Sequence, residues 1–114
     1  METFDATAFD GVTLRRPGRY VVAFSANWCP FCRAFLPEFA TLEGNPKFQV
    51  AVADLTDLES PLWERFQIEV VPSMAVFHDG ELVWRVDGIA GVGLAAADLR
   101  RARDAASSRR PPRR

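Results

Sequence analysis

Residues 20–35 read YVVAFSANWCPFCRAF, an apolar run closing on two cysteines three positions apart, Cys29 and Cys32, the only two in the 114-residue chain. Tyr20–Ala26 is rich in β-branched and aromatic residues with no polar alternation, so it predicts a strand buried on both faces, at the centre of a sheet. The motif then opens a helix. Cys29 stands where an N-cap would be, and Pro30 suits the first helical turn. Cys32, Phe35, Leu36, Phe39 and Leu42 recur at helical spacing as one apolar stripe. This spacing separates the two sulfurs: Cys32 begins the core-facing stripe, while Cys29 sits at the helix tip, within reach of water or a partner. Pro37 leaves the Arg33 carbonyl without its helical donor and predicts a kink. Gly44-Asn45-Pro46 ends the helix.

Working outward, Phe48–Leu55 (FQVAVADL) predicts the next strand, and a helix follows from Ser60-Pro61 with Leu62 and Phe66 four apart. Ser73–Gly88 (SMAVFHDGELVWRVDG) reads as two strands around His78-Asp79-Gly80-Glu81, where Asp-Gly is a strong hairpin signal. The alanine-rich stretch Val92–Ala106 completes the chain as a weakly amphipathic helix. The expected fold class is α/β: one domain over residues 1–106, a central mixed β-sheet flanked by helices on both faces, with a βαβ unit followed by a hairpin and a helix.

What are the cysteines for? A chain this long buries roughly two thirds of its surface and holds a core without staples. A bridge across two residues removes little unfolded-chain entropy, which argues against a structural disulfide. Met1–Asp5 is acidic, with no basic or apolar leader, and no apolar run approaches membrane-spanning length. A soluble, cytoplasmic protein with no membrane association is expected. Thiols there are kept reduced, so a lone C-x-x-C is catalytic or metal-binding more often than a fixed bridge. Zinc prefers four ligands; two cysteines and the single, distant His78 would need a dimer or foreign ligands. No metal and no cofactor are expected.

Charge is unevenly placed. Residues 1–99 hold seven basic and fourteen acidic residues (7 − 14 = −7), whereas from Arg100 onward seven arginines face only Asp104 (7 − 1 = +6). Residues 107–114, SSRRPPRR, hold no apolar side chain to bury beyond two prolines and predict a disordered tail. Such a tail can touch nucleic acid, anionic surfaces or acidic partners, but the preferred reading is a solvated segment without a dedicated partner.

Several spacings taken together resemble thioredoxin: VVAFSANWCPFC, Pro37 five residues after Cys32, Val70-Val71-Pro72-Ser73, Gly80 eight residues after Pro72 and Gly88 sixteen after it. The resemblance runs from about Phe9 to Ala106. It implies a thiol-disulfide oxidoreductase in which Cys29 attacks a target disulfide and Cys32 resolves the mixed disulfide. A helix N-terminus favours the thiolate that such attack requires, and Cys29 is placed to receive that help. Pro72 matches the family's cis-proline. By the same resemblance the Val71 backbone pairs with the substrate chain, and Trp28, Gly88 and Ile89 complete a shallow docking groove. Pro30 and Phe31 lie between the cysteines, and an exposed Phe31 beside the nucleophile would contact a partner. Protein disulfides are the expected substrates, with a thioredoxin reductase or a small thiol as electron donor, and the chain is expected to be a monomer that does not bind nucleic acid.

Two departures stand out. The family's buried aspartate, six positions before the first cysteine, is Ala23 here, and its nearby lysine has no counterpart in Val52-Ala53-Asp54. Proton transfer from Cys32 must then use water or another carboxylate, with Asp87 as a candidate. Pro-Phe also replaces the family's Gly-Pro, which favours a less reducing potential within a range of about −270 to −120 mV. His78, Trp63 and Trp84 are read as structural or surface residues. The competing function is a non-catalytic binding module that keeps the fold, or a more oxidising oxidase or isomerase.

Overall fold

The computed structural model describes residues 1–108. Its elements are β1 (Glu2–Phe4), a 3-10 turn (Ala6–Ala8), β2 (Phe9–Asp10), β3 (Thr13–Leu14), β4 (Arg19–Ser25) and α1 (Pro30–Phe39), which runs on into a 3-10 turn (Ala40–Leu42). Then come β5 (Gln49–Asp54), the single-turn α2 (Leu62–Arg65), β6 (Ser73–His78), β7 (Glu81–Asp87) and α3 (Ala96–Ser107). Five strands make one mixed sheet in the order β1-β5-β4-β6-β7, and β2 and β3 form a separate small hairpin. The central strand is β4, parallel to β5 and antiparallel to β6, with Val22 opposite Ala51 on one side and Ala75 on the other.

The apolar run in β4 works as its composition demands. Tyr20, Val22 and Phe24 enter one core cluster with Phe4, Phe9, Leu62 and Phe66, while Val21 and Ala23 enter another with Phe35, Phe39, Leu99 and Ala102. The second cluster is the sheet face covered by α1 and α3. The first is covered by α2 together with the β2–β3 hairpin, whose Phe9 packs edge-on against Phe66 at 5.2 Å. Helices therefore lie on both faces, as expected, but one face owes much of its cover to the N-terminal segment.

The β6–β7 turn carries positive φ at both Asp79 (49°) and Gly80 (88°), the backbone that a two-residue hairpin loop needs. The Gly18 N–H donates to the Asp79 carboxylate (2.7 Å), and the Asp79 N–H donates to the Gly18 carbonyl (2.8 Å), tying this turn to the start of β4.

Three elements differ from expectation. The segment β1 pairs in parallel with β5, Phe4 opposite Ala53; three residues with one apolar side chain are too few to show a strand period. The helix after Pro61 is only one turn, ending before Gln67 at φ 50°. The last helix starts at Ala96 rather than Val92, because residues 88–95 form a turn bridged between Ile89 and Gly93, with positive φ at Gly91 and Gly93. The Ala95 N–H then donates to the Asp98 carboxylate (2.8 Å) at the helix start. At its far end α3 continues through Ser107, one residue into the tail expected over residues 107–114, and residues 109–114 of that tail lie outside the described residues. Among the described residues no helix is long and apolar enough to cross a membrane.

Candidate active site

The strand β4 ends at Ser25, and after four intervening residues the chain enters α1, so the cysteines sit at the C-terminal end of the central strand, where strand gives way to helix. Cys29 is the N-cap: its backbone is extended (φ −93°, ψ 117°), and the Cys32 N–H donates to its Sγ at 3.3 Å. That N–H points to where negative charge collects on sulfur during exchange. On its other side the Cys29 thiol donates to the Val71 carbonyl at 3.5 Å. Both cysteines are free thiols.

Access to the two sulfurs differs by less than the helix geometry alone suggests: Cys29 is 4 % exposed and Cys32 0 %. The Val71 carbonyl lies against Cys29, and the Val71–Pro72 peptide is cis. Burial pushes the Cys32 thiol up to about 11 from 9.0. Its hydrogen bond and charge interaction with Cys29 act in the same direction, and bonds from the Ala26 backbone and the Ser25 side chain act against it.

Ser25 is the site residue that sequence reasoning missed. Only it and Ser73 are buried polar side chains among the described residues, and its hydroxyl reaches the Cys32 sulfur. The signal was a lone serine closing an otherwise apolar strand. Ala23, at the position of the expected carboxylate, is fully buried in the cluster that holds Phe35 and Phe39. Asp87, the other candidate, has a half-exposed carboxylate paired with Arg85 Nε at 2.6 Å.

The remaining candidates divide by exposure. Trp28 (48 %), Phe31 (41 %) and Ile89 (65 %) present apolar surface to solvent, and Pro30 is exposed beside them. Val71, Pro72 and Gly88 are buried. Gly88 is required there, since a Cβ would lie 2.3 Å from the Pro72 carbonyl oxygen. Its N–H donates to Ser73 Oγ (3.2 Å), and that hydroxyl donates to the Val70 carbonyl (2.7 Å), so one serine joins the Pro72 loop to the end of β7. His78 ends β6, beside Asp79 of the turn (3.5 Å). Trp84 packs at the margin of the core, whereas Trp63 stacks on Trp28. Among the described residues no group of three or more His, Cys, Asp or Glu side chains is placed to hold a metal ion.

The family model for thioredoxin matches residues 1–99. The chain belongs to the thioredoxin family. It is 30 % identical over 101 residues to the bifunctional thioredoxin reductase/thioredoxin of Mycobacterium leprae (strain TN), covering 87 % of this chain and 22 % of that protein. To thioredoxin H5 of Arabidopsis thaliana it is 34 % identical over 73 residues, 61 % of this chain and 59 % of the relative. The match thus spans less than two thirds of either relative. Crystalline thioredoxin f from spinach chloroplast superposes with a TM-score of 0.74 at 22 % identity, covering 94 % of this chain and 86 % of that one. That likeness shows the thioredoxin fold, reached here without a carboxylate at residue 23 and with Pro-Phe between the cysteines.

Proposed function

We propose that this thioredoxin-family chain is a thiol-disulfide oxidoreductase that reduces protein disulfides through Cys29 and Cys32. The observation that carries the reading is the pairing of an N-capping sulfur, bonded by the Cys32 N–H, with a second thiol three residues on and fully buried. Cys29, as thiolate, attacks one sulfur of a substrate disulfide. That bond breaks, the new Cys29–substrate bond forms, and the departing substrate thiolate takes up a proton. Cys32 then loses its proton and attacks the Cys29 sulfur, forming the Cys29–Cys32 disulfide and releasing the second substrate thiol. Two electrons and two protons from a donor restore the dithiol. A thioredoxin reductase fits that need, as the name of the Mycobacterium leprae relative suggests, and so does a small thiol.

In this reading Trp28, Pro30, Phe31 and Ile89 form the exposed docking face, with Val71, Pro72 and Gly88 as its floor. The chain works as a monomer in a reducing compartment such as the cytoplasm. A more oxidising role is the second reading, favoured by Pro30-Phe31 between the cysteines and by Ala23 in place of the family's aspartate.

Two measurements on the intact chain test this. Cys29→Ser should abolish disulfide reduction, while Cys32→Ser should accumulate mixed disulfides with protein targets on a non-reducing gel; equal, mild losses in both would sink the assigned roles. Equilibration with dithiothreitol or glutathione should place the pair above about −270 mV but nearer to that reducing end of the family than to its oxidising end, and a value near about −120 mV would instead make it an oxidant.

A further inference from the structure

Trp28 is half-exposed beside the nucleophile, a position in which a large side chain on one residue would ordinarily sample several rotamers. Here it is held on two sides. Its ring lies nearly parallel to that of Trp63, with centroids 6.3 Å apart and an interplanar angle of 12°. Each indole N–H donates to a neighbouring carbonyl of one loop, Trp28 to Thr56 at 3.0 Å and Trp63 to Asp57 at 3.1 Å. The loop is itself pinned. Asp54 Oδ1 accepts from the Thr56 N–H (2.9 Å) and hydroxyl (2.5 Å), and Thr56 Oγ1 accepts from the Asn27 N–H (3.0 Å), next to Trp28. Trp63 belongs to α2 and packs against the core cluster that contains Leu62 and Phe66. A chain of fixed contacts therefore leads from the core to the ring that borders Cys29.

We propose that Trp63 is a positioning residue for the exchange reaction: it holds Trp28 in one orientation, so that the docking wall for protein disulfides exists before the substrate arrives. The proposal rests on the reading of Trp28 as a substrate contact. A preformed wall reduces the ordering cost of binding. A protein substrate that lies across Trp28 gains from it, and a small disulfide that meets only Cys29 does not.

The test uses the full chain and three variants, Trp63→Ala, Trp63→Phe and Trp28→Ala, with insulin as the protein disulfide and 5,5′-dithiobis(2-nitrobenzoate) as the small one. Loss of an aromatic pair predicts a rise in KM for insulin of about fivefold in Trp63→Ala, with kcat and turnover of the small disulfide unchanged. Trp63→Phe, which keeps a flat ring, should restore KM to near the parent value. Circular dichroism should show the coupled bands of stacked indoles in the parent and lose them in Trp63→Ala. If Trp63→Ala does not fold, Trp63→Leu, which fills the space without a flat ring, takes its place with the same expectation. The inference is overturned if Trp28→Ala raises KM for insulin while Trp63→Ala does not, or if Trp63→Ala slows both disulfides equally. If Trp28→Ala itself leaves insulin reduction unchanged, the reading of Trp28 as a substrate contact falls, and this inference with it.

Discussion

Replacing Ser25 with alanine should slow the second half of the exchange and leave the first half alone. The resolving thiol is fully buried, and in the dithiol form burial pushes it up to about 11. At pH 7 that leaves about one molecule in ten thousand with Cys32 as thiolate. Once Cys29 is joined to a substrate, its own two raising influences vanish, so the inflection for resolution falls below 11. Burial, the largest of the raising causes, remains. Resolution should therefore accelerate about tenfold per pH unit between pH 6 and 9. The Ser25 hydroxyl is the one side-chain hydrogen bond that favours the Cys32 thiolate. Sulfur is a weak acceptor, so its removal is worth about 1 kcal/mol, that of an ordinary hydrogen bond rather than one to a charged oxygen, or about fivefold in rate at neutral pH. The assay is stopped-flow release of thionitrobenzoate from a preformed Cys29 adduct, read at constant temperature across pH. In Ser25→Ala the whole profile should move to higher pH with unchanged slope, and attack by Cys29 on the free reagent should keep the parent rate. A flat profile between pH 6 and 9, or a Ser25→Ala profile superimposed on the parent, would refute the reasoning.

Two further predictions concern stability. In the dithiol form the folded chain keeps the Cys32 proton to about pH 11, while the unfolded chain releases it near 9.0. Above pH 9 the unfolded state binds fewer protons, so a contribution of about 2 to 3 kcal/mol, fully present below pH 9, is lost as pH rises towards 11. Urea titrations of the reduced protein should show that fall, and the disulfide form, which has no Cys32 proton to lose, should lack it. Gly88→Ala places a methyl group 2.3 Å from the Pro72 carbonyl oxygen. Backbone must then shift, at a cost of about 1 to 3 kcal/mol, visible as a lower thermal midpoint; an unchanged midpoint would mean the Pro72 loop yields freely.

The parts of the fold legible in the sequence are those where one local rule dominates. An unbroken apolar run can only be satisfied with both faces covered, and β4 is covered on both. Asp79-Gly80 marks a turn because few other pairs tolerate two positive φ values, and it is found at the tip of the β6–β7 hairpin. What was illegible depends on partners distant in sequence. The segment Glu2–Phe4 becomes a strand only because β5 offers a free edge, and Phe9 and Leu14 cover a sheet face that α2 is too short to cover alone.

The site divides along the same line. Cys29, Cys32 and Pro72 were visible because their spacing is local or fixed by a recognisable pattern. Ser25 and Trp63 were not, because neither carries a pattern, and each acquires meaning only from what the fold places beside it. This matters most where the sequence departs from its family. Exchanging a buried carboxylate for Ala23 removes a charge that would have to be desolvated among Phe35, Phe39 and Met74. It also removes a base that could take the Cys32 proton. A serine hydroxyl cannot substitute as a base at neutral pH; it can only stabilise the thiolate once water has taken the proton. The resolving step should then track solvent pH directly, and replacing Ala23 with aspartate should flatten that dependence around neutrality while lowering stability. Single-turnover resolution in Ala23→Asp measures this, and a pH dependence as steep as the parent's would show that geometry at Cys32, rather than proton removal, limits the reaction.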